Sequence, residues 1–239
     1  MKISFVLPFH NEKENLSLLL PLIEDQIKNE NNLEFEINLV DDLSTDGSNE
    51  FCQKFIESNK SNINYRLFKL NFKGFQYGAL KKGFNESSGE YVICMDTDLQ
   101  DDPKYIKNFI ENIKKDFDII ATVRKKRFDE APSILLSALQ VYDLIFDILL
   151  NRKLKTYRSP FAAYKKKYVK NLPWFKNDHR YLIPIAISRG ADKIAQFEVA
   201  YNQRNSGKSH YNRRMKVIFG VIEVIIFILR MKLGKYKKS

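Results

Sequence analysis

Two carboxylates flank a threonine at Asp96-Thr97-Asp98, directly after the apolar run 90–95 (EYVICM). Oxygens so placed can hold a hard divalent cation, which keeps several waters and completes its shell with phosphate oxygens. Many Asp-x-Asp pairs are solvated turns, but this one follows a run apolar enough to be a buried strand. Asp101, Asp102 and Pro103 come next, where acids can equally cap and open a helix. A second acidic group, Asp41-Asp42, closes the run 34–40. A carboxylate at a strand end can accept hydrogen bonds from a ribose or a base edge, whereas Ser44 to Gly47 has the composition of a capping turn. A third polar segment, Pro8-Phe9-His10-Asn11-Glu12, leaves the first apolar run. Glu12 is its ligand candidate, and His10 reads as a loop histidine with a packing role. A fourth, Asn71 to Ala79, contains Lys73 and Gly74 but matches neither G-x-x-x-x-G-K nor G-x-G-x-x-G. Its lysine is placed to approach a diphosphate. A fifth, Arg204 to Tyr211 with Lys208 and Ser209, offers phosphate donors, or is simply a solvated basic loop.

Elements must position these groups. Runs 3–7, 34–40, 63–70, 90–95 and 117–123 read as strands. Helical spacing or capping places helices over 13–29, 76–87 and 103–115 between them, and 44–59 begins with a Ser/Thr/Asp/Gly turn and continues as a helix. Such alternation implies a parallel α/β sheet with right-handed crossovers, and ligands of such sheets bind at the carboxyl ends of strands. Both acidic groups fall there. Beyond 123 the pattern predicts a helix over 133–150, a strand at 160–164, a helix at 165–172, a loop and helix over 174–189, and a strand at 192–201. No repeat or linker interrupts the chain.

The 239 residues suffice for a substantial core. With 44% hydrophobic and 29% charged residues, a disordered chain is excluded. The net charge of +11 is unevenly placed: from Arg204 onward ten Lys or Arg face one acid, a net of +9, leaving the body at +2. A near-neutral body with acidic pockets repels nucleic acid, so none is expected as partner. Residues 217–229 are apolar except for Gly220 and Glu223. Thirteen helical residues reach about 20 Å, short of the roughly 30 Å bilayer core. With basic flanks, this stretch suits an interfacial anchor on anionic lipid, or a docked C-terminal helix. Cys52 and Cys94 lack metal-ligand spacing and read as buried thiols of a reducing compartment. The apolar run ending at Pro8 is too short for a signal peptide, so a cytoplasmic protein is expected.

These motifs, in this order, resemble family 2 glycosyltransferases with a GT-A fold, and within them the polyprenyl-phosphate, dolichyl-phosphate mannose synthase-like branch. PFHNEKEN resembles the opening nucleotide loop, LVDDLSTDGS the V-D-D-x-S-x-D-G segment, and MDTDLQDDP the metal-binding M-D-A-D-L-Q-x-P-P. Asn71 to Gly83 resembles N-x-G-x-x-x-A-x-x-x-G, and RNSGKSHYNRRM the R-x-x-G-x-S-x-Y acceptor loop. Where members often carry G-x-F-R-L, Ser159 to Tyr164 lacks the arginine, with Arg158 just before it.

The resemblance implies a nucleotide-diphospho-sugar transferase fold over 1–212: a mostly parallel sheet flanked by helices, with a sugar-nucleotide half (1–123) and an acceptor half (124–212). A basic, membrane-associating helix (213–239) would follow. It implies inverting transfer of a sugar from a UDP- or GDP-linked donor to a polyprenyl phosphate, peripherally on the inner face of the cell membrane. The alternative acceptor is a saccharide hydroxyl in surface-glycan assembly. Pro8, Asn11, Glu12, Asp41, Asp42, Lys73, Gly74, Asp96 and Thr97 would bind the donor. Asp96 and Asp98 would hold Mg²⁺ or Mn²⁺, Asp98 acting in catalysis. Arg124, Arg204, Lys208 and Ser209 would hold the acceptor phosphate, Arg204 within the catalytic set. For a hydroxyl acceptor a base is needed, and Asp178 is the candidate. A homo-oligomer or a membrane partner subunit stays open.

Overall fold

The computed structural model of the protein describes residues 1–124, 133–200 and 213–237. Among these, seven strands form one sheet: β1 (Lys2–Phe9), β2 (Glu34–Asp41), β3 (Asn64–Lys69), β4 (Tyr91–Cys94), β5 (Ile119–Arg124), β6 (Ala162–Lys165) and β7 (Ile194–Val199). The strand order is β3-β2-β1-β4-β6-β5-β7. All pairings are parallel except those of β6, which runs antiparallel to β4 and β5. The helices are α1 (Lys13–Ile27), α2 (Ser48–Ser58), α3 (Phe75–Glu86), α4 (Ile106–Lys114), α5 (Ser133–Leu150), α6 (Lys166–Val169), α7 (Leu182–Ser188) and α8 (Arg213–Lys232).

The predicted strands and helices are all present, with shifted ends. Residues 44–59 begin with the expected turn, 44–47, and continue as a helix from Ser48. Helix 103–115 opens as a 3₁₀ turn, Pro103–Tyr105, capped by Asp102, which accepts the Lys104 N–H. Helix 165–172 shrinks to α6.

The central strands are buried on both faces, which is why their sequences are continuously apolar. Alternation sorts them into two layers. Ile3, Phe5, Leu7 and Phe9 join Leu16, Leu20, Phe109 and Ile110 of α1 and α4. Val6, Val92 and Cys94 face the other way, onto Phe84 of α3 and Tyr142, Phe146 and Leu182 of α5 and α7. Gly83 lets α3 lie directly on the sheet, since a Cβ there would stand 2.3 Å from Val6 Cγ1.

From β1 the chain steps outward to β2 and β3, then returns to β4 on the far side of β1. This reversal opens a crevice at the carboxyl ends of β1 and β4, the position where α/β sheets hold ligands.

Candidate active site

A cleft of about 480 Å³ occupies that crevice. Pro8 and Phe9 line it from β1, His10 and Glu12 from the loop after it, and Asp42 from just past β2. Gln76 and Ala79 come from α3, Asp96, Thr97, Asp98 and Gln100 follow β4, and Arg124 ends β5. A larger concavity, about 940 Å³, lies by the strand amino ends. There Glu24 is already engaged by Asn59 and Tyr65, so the cleft is the better site.

Local hydrogen bonds fix the acidic groups. Asp42 is buried and accepts the Gly74 N–H at 2.6 Å, tying β2 to the start of α3. Asp96 accepts from Gln76 Nε2 at 2.7 Å, and Asp98 accepts the Gln100 N–H at 3.2 Å. Thr97 points back, donating to the Pro8 carbonyl at 3.2 Å. Arg124 pairs with buried Asp101 at 2.7 Å. Lys73 Nζ stands 2.7 Å from His10 Nε2. Burial first, then the charges of Asp98 and Asp101, push the Asp96 carboxyl up to about 7. Burial likewise raises Asp101, against the pull of Arg124.

This crowding is the structural test of the metal expectation. Like carboxylates held together in a half-buried turn are stabilised by a divalent cation. Among the described residues no group of three or more His, Cys, Asp or Glu could hold a metal by itself. Mg²⁺-type ions are commonly held by one or two carboxylates together with substrate phosphates. Asp96 and Asp98 fit that ion.

Several expected residues sit elsewhere. Asp41 is fully buried; its oxygens accept from the Ser44 N–H at 2.8 Å and Asn49 Nδ2 at 2.9 Å. It organises its own loop and is not presented to a ligand. Asn11 binds the same loop through Ser44 and Thr45. Lys73 and Gly74 back the cleft wall, Gly74 through its N–H to Asp42. Asp178 is not brought to the cleft. It is buried between a 3₁₀ turn (Asp178–Tyr181) and the C-terminal segment, accepting the Phe175 N–H and the Tyr236 hydroxyl, each at 2.8 Å. Arg204, Lys208 and Ser209 lie outside the described residues. Phe9, Gln76, Ala79 and Gln100 also line the cleft, and all four lie inside the quoted motifs without being among the expected site residues.

Asp178→Asn is therefore expected to cost stability, about 1–2 kcal/mol, by turning an amide N–H₂ toward a donor. Nucleoside diphosphate affinity is expected to stay unchanged. Urea unfolding and calorimetric titration check both; full stability with lost turnover would restore Asp178 as a base.

Strain gathers around the cleft. Asn11, Leu43, Phe75 and Leu99 all have left-handed backbone, with φ of 58°, 61°, 53° and 58°. Phe75 is an exposed, bulky residue, and that conformation costs it roughly 1–2 kcal/mol. Phe75→Gly is expected to raise the melting temperature by about 2–4 °C, a gain of about 1 kcal/mol, in a thermal scan.

This mostly parallel sheet with a cleft at its switch point has the GT-A fold. The solved structures agree. Mannosyltransferase from Pyrobaculum calidifontis, in complex with GDP-Man and Mn²⁺, superposes with a TM-score of 0.68 at 16% identity, over 95% of this chain and 64% of that one. Glucosyl-3-phosphoglycerate synthase of M. tuberculosis gives 0.64 at 18% identity, over 95% and 80%. The family model "Glycosyl transferase family 2" matches residues 4–172, and the chain belongs to that family. The undecaprenyl-phosphate 4-deoxy-4-formamido-L-arabinose transferase of Serratia proteamaculans is 30% identical over 219 residues, 91% of this chain and 64% of that protein. Its counterpart in Photorhabdus laumondii is 29% identical over 211 residues, 88% and 63%. The chain thus spans under two thirds of the length of these curated relatives.

Proposed function

We propose that the protein transfers a sugar from a nucleotide diphosphate donor to a polyprenyl phosphate. The observation that carries this reading is the meeting of Asp42, Asp96, Asp98 and Arg124 in one cleft at the switch point. The likeness to undecaprenyl-phosphate sugar transferases supports the acceptor class. Asp42 and Glu12 orient the nucleoside, and Asp96 and Asp98 would hold a divalent cation. When bound, that ion supplies charge neutralisation for the leaving nucleoside diphosphate. The anomeric carbon–oxygen bond to the diphosphate breaks as an acceptor phosphate oxygen bonds to the same carbon from the opposite face. That oxygen is already ionised at neutral pH, so positioning and charge stabilisation replace a general base. This accords with Asp178 lying away from the cleft. Arg124 stands where an incoming phosphate meets it, already oriented by Asp101.

A lipid acceptor places the protein peripherally at a membrane, on its cytoplasmic face. Among the described residues no helix is long and apolar enough to cross one. The test is release of UDP or GDP when undecaprenyl phosphate is supplied with Mg²⁺ or Mn²⁺. Turnover lost on chelation supports the reading. No turnover with any lipid phosphate across common UDP- and GDP-sugars overturns it.

A further inference from the structure

Phe75 opens α3 with left-handed backbone, φ 53°, and is 65% exposed. Its ring belongs to neither core layer. Glycine would adopt the same backbone without strain. Exposed apolar side chains are ordinary, and Phe72, 75% exposed, has no such backbone. A strained aromatic residue beside a cleft is a different matter, because strain of this kind persists at ligand clamps and active sites.

The surroundings of the ring point to its ligand. Lys73 Nζ lies 6.0 Å from the Phe75 ring centre, the outer limit of a cation–π contact, and donates to His10 Nε2 at 2.7 Å. His10 lines the cleft. Its other ring nitrogen, Nδ1, is buried with no hydrogen-bond partner among the described residues, so Lys73 alone ties the imidazole. The ammonium thus stands between two rings, one from the loop after β1 and one from α3. Imidazole nitrogen and phenyl centre are at most about 9 Å apart, room for one flat ring in contact with each at roughly 4.5 Å. Asp42 borders the same space. Its N–H donates to the carbonyl of Phe9, next to His10, and its carboxylate holds the N–H of Gly74, next to Phe75. Among the parts of a nucleotide sugar and a polyprenyl phosphate, only the base is a flat aromatic ring with two faces to stack.

We propose that Phe75 stacks on the base of the nucleotide donor, with His10 on the other side of the base and Lys73 yielding the place between them. This rests on the nucleotide-donor reading above, and not on the identity of the acceptor.

The test is calorimetric titration of the full chain with UDP, with GDP and with inorganic pyrophosphate, each with Mn²⁺. Phe75→Gly and Phe75→Asn both suit left-handed backbone and remove the ring. Each is expected to bind UDP and GDP about tenfold more weakly than the parent, the size of one lost base stack, and to bind pyrophosphate, which has no base, equally well. Phe75→Gly is then at once more stable and weaker in nucleotide binding, a combination that a merely structural role does not give. As a second measurement, Phe75→Trp is expected to lose fluorescence on addition of UDP or GDP but not of pyrophosphate, against the constant signal of buried Trp174. Parental UDP and GDP affinity in both ringless variants would overturn the proposal, and so would an equal loss for pyrophosphate. Parental nucleotide affinity with weakened use of undecaprenyl phosphate would give the ring to the acceptor chain, and overturn it too. A parent that binds neither nucleotide would sink the donor reading itself, whereas the other outcomes sink the role of Phe75 alone.

Discussion

Asp98→Asn is expected to abolish turnover while making the protein more stable. Asp98 shares a half-buried turn with Asp96 and Asp101, and their mutual repulsion helps hold the Asp96 proton in place. Removing one charge relieves that repulsion, so the melting temperature should rise by a few degrees without added metal. The same change removes an oxygen with full negative charge from the pair that would hold the cation. A loss of about 10³-fold in kcat/KM corresponds to roughly 4 kcal/mol of transition-state stabilisation, a reasonable share for a Lewis-acid ion. Mn²⁺ should stabilise the parent in a thermal scan with nucleoside diphosphate, and the variant little. A variant with parental turnover would remove Asp98 from the mechanism. Such a site, destabilising by itself and relieved by its ligands, is a familiar cost of function.

The second large effect lies at the opposite end of the sheet, in a carboxylate that does no chemistry. Glu36 is 1% exposed, in the middle of the strand layer. It accepts from Ser4 Oγ at 2.6 Å, from the Ser88 N–H at 2.6 Å and from the Ser88 hydroxyl, and pairs with Lys2 Nζ at 3.1 Å. Burial opposes its ionisation, but the hydrogen bonds from Ser4, Ser88 and Lys2 outweigh it and hold the carboxyl down at about 2. A carboxyl lowered on folding stabilises the fold above its unfolded pKa, near 4.5, and that stabilisation is lost as pH falls toward 2. The contribution is about 3 kcal/mol at neutral pH. Glu36→Gln should cost about that much, because its N–H₂ must face donors, and should flatten the stability–pH curve between about 4.5 and 2. Urea midpoints measured across that range check both. Gly89 closes the hub: a Cβ there would meet Ser4 Oγ at 2.7 Å and the Lys2 carbonyl at 2.8 Å.

Much of the candidate site was legible because it follows strands whose burial the sequence advertises. The run YVICM predicts that Asp96 to Asp98 stand at a strand end, and they do. Periodicity cannot decide which of two consecutive carboxylates turns toward a cleft. Asp41 still belongs to β2, paired with Phe9 and Lys69, and its side chain caps the following loop. Asp42, one residue on, reaches the cleft. The antiparallel β6 was hidden because a four-residue strand has the same apolar signature in either direction. Asp178 misled for a similar reason: an acid in the polar segment NDHR looks available until Tyr236, 58 residues away, is seen donating to it. Partners so distant in sequence leave no local signal. The left-handed Phe75 was equally invisible, since glycine stands immediately before it and would ordinarily take that role.

Strand β4 has only four residues, every one buried, and they point alternately into the two core layers. Tyr91 and Ile93 lock into one layer, Val92 and Cys94 into the other, and the acidic turn hangs from their end. It is therefore clamped like a blade in a vice, gripped from both sides over a very short length. Neither layer can shift without carrying the turn with it. Conservative repacking far from the cleft, in α1 or in α5 alike, should blunt catalytic alignment well before it threatens the fold.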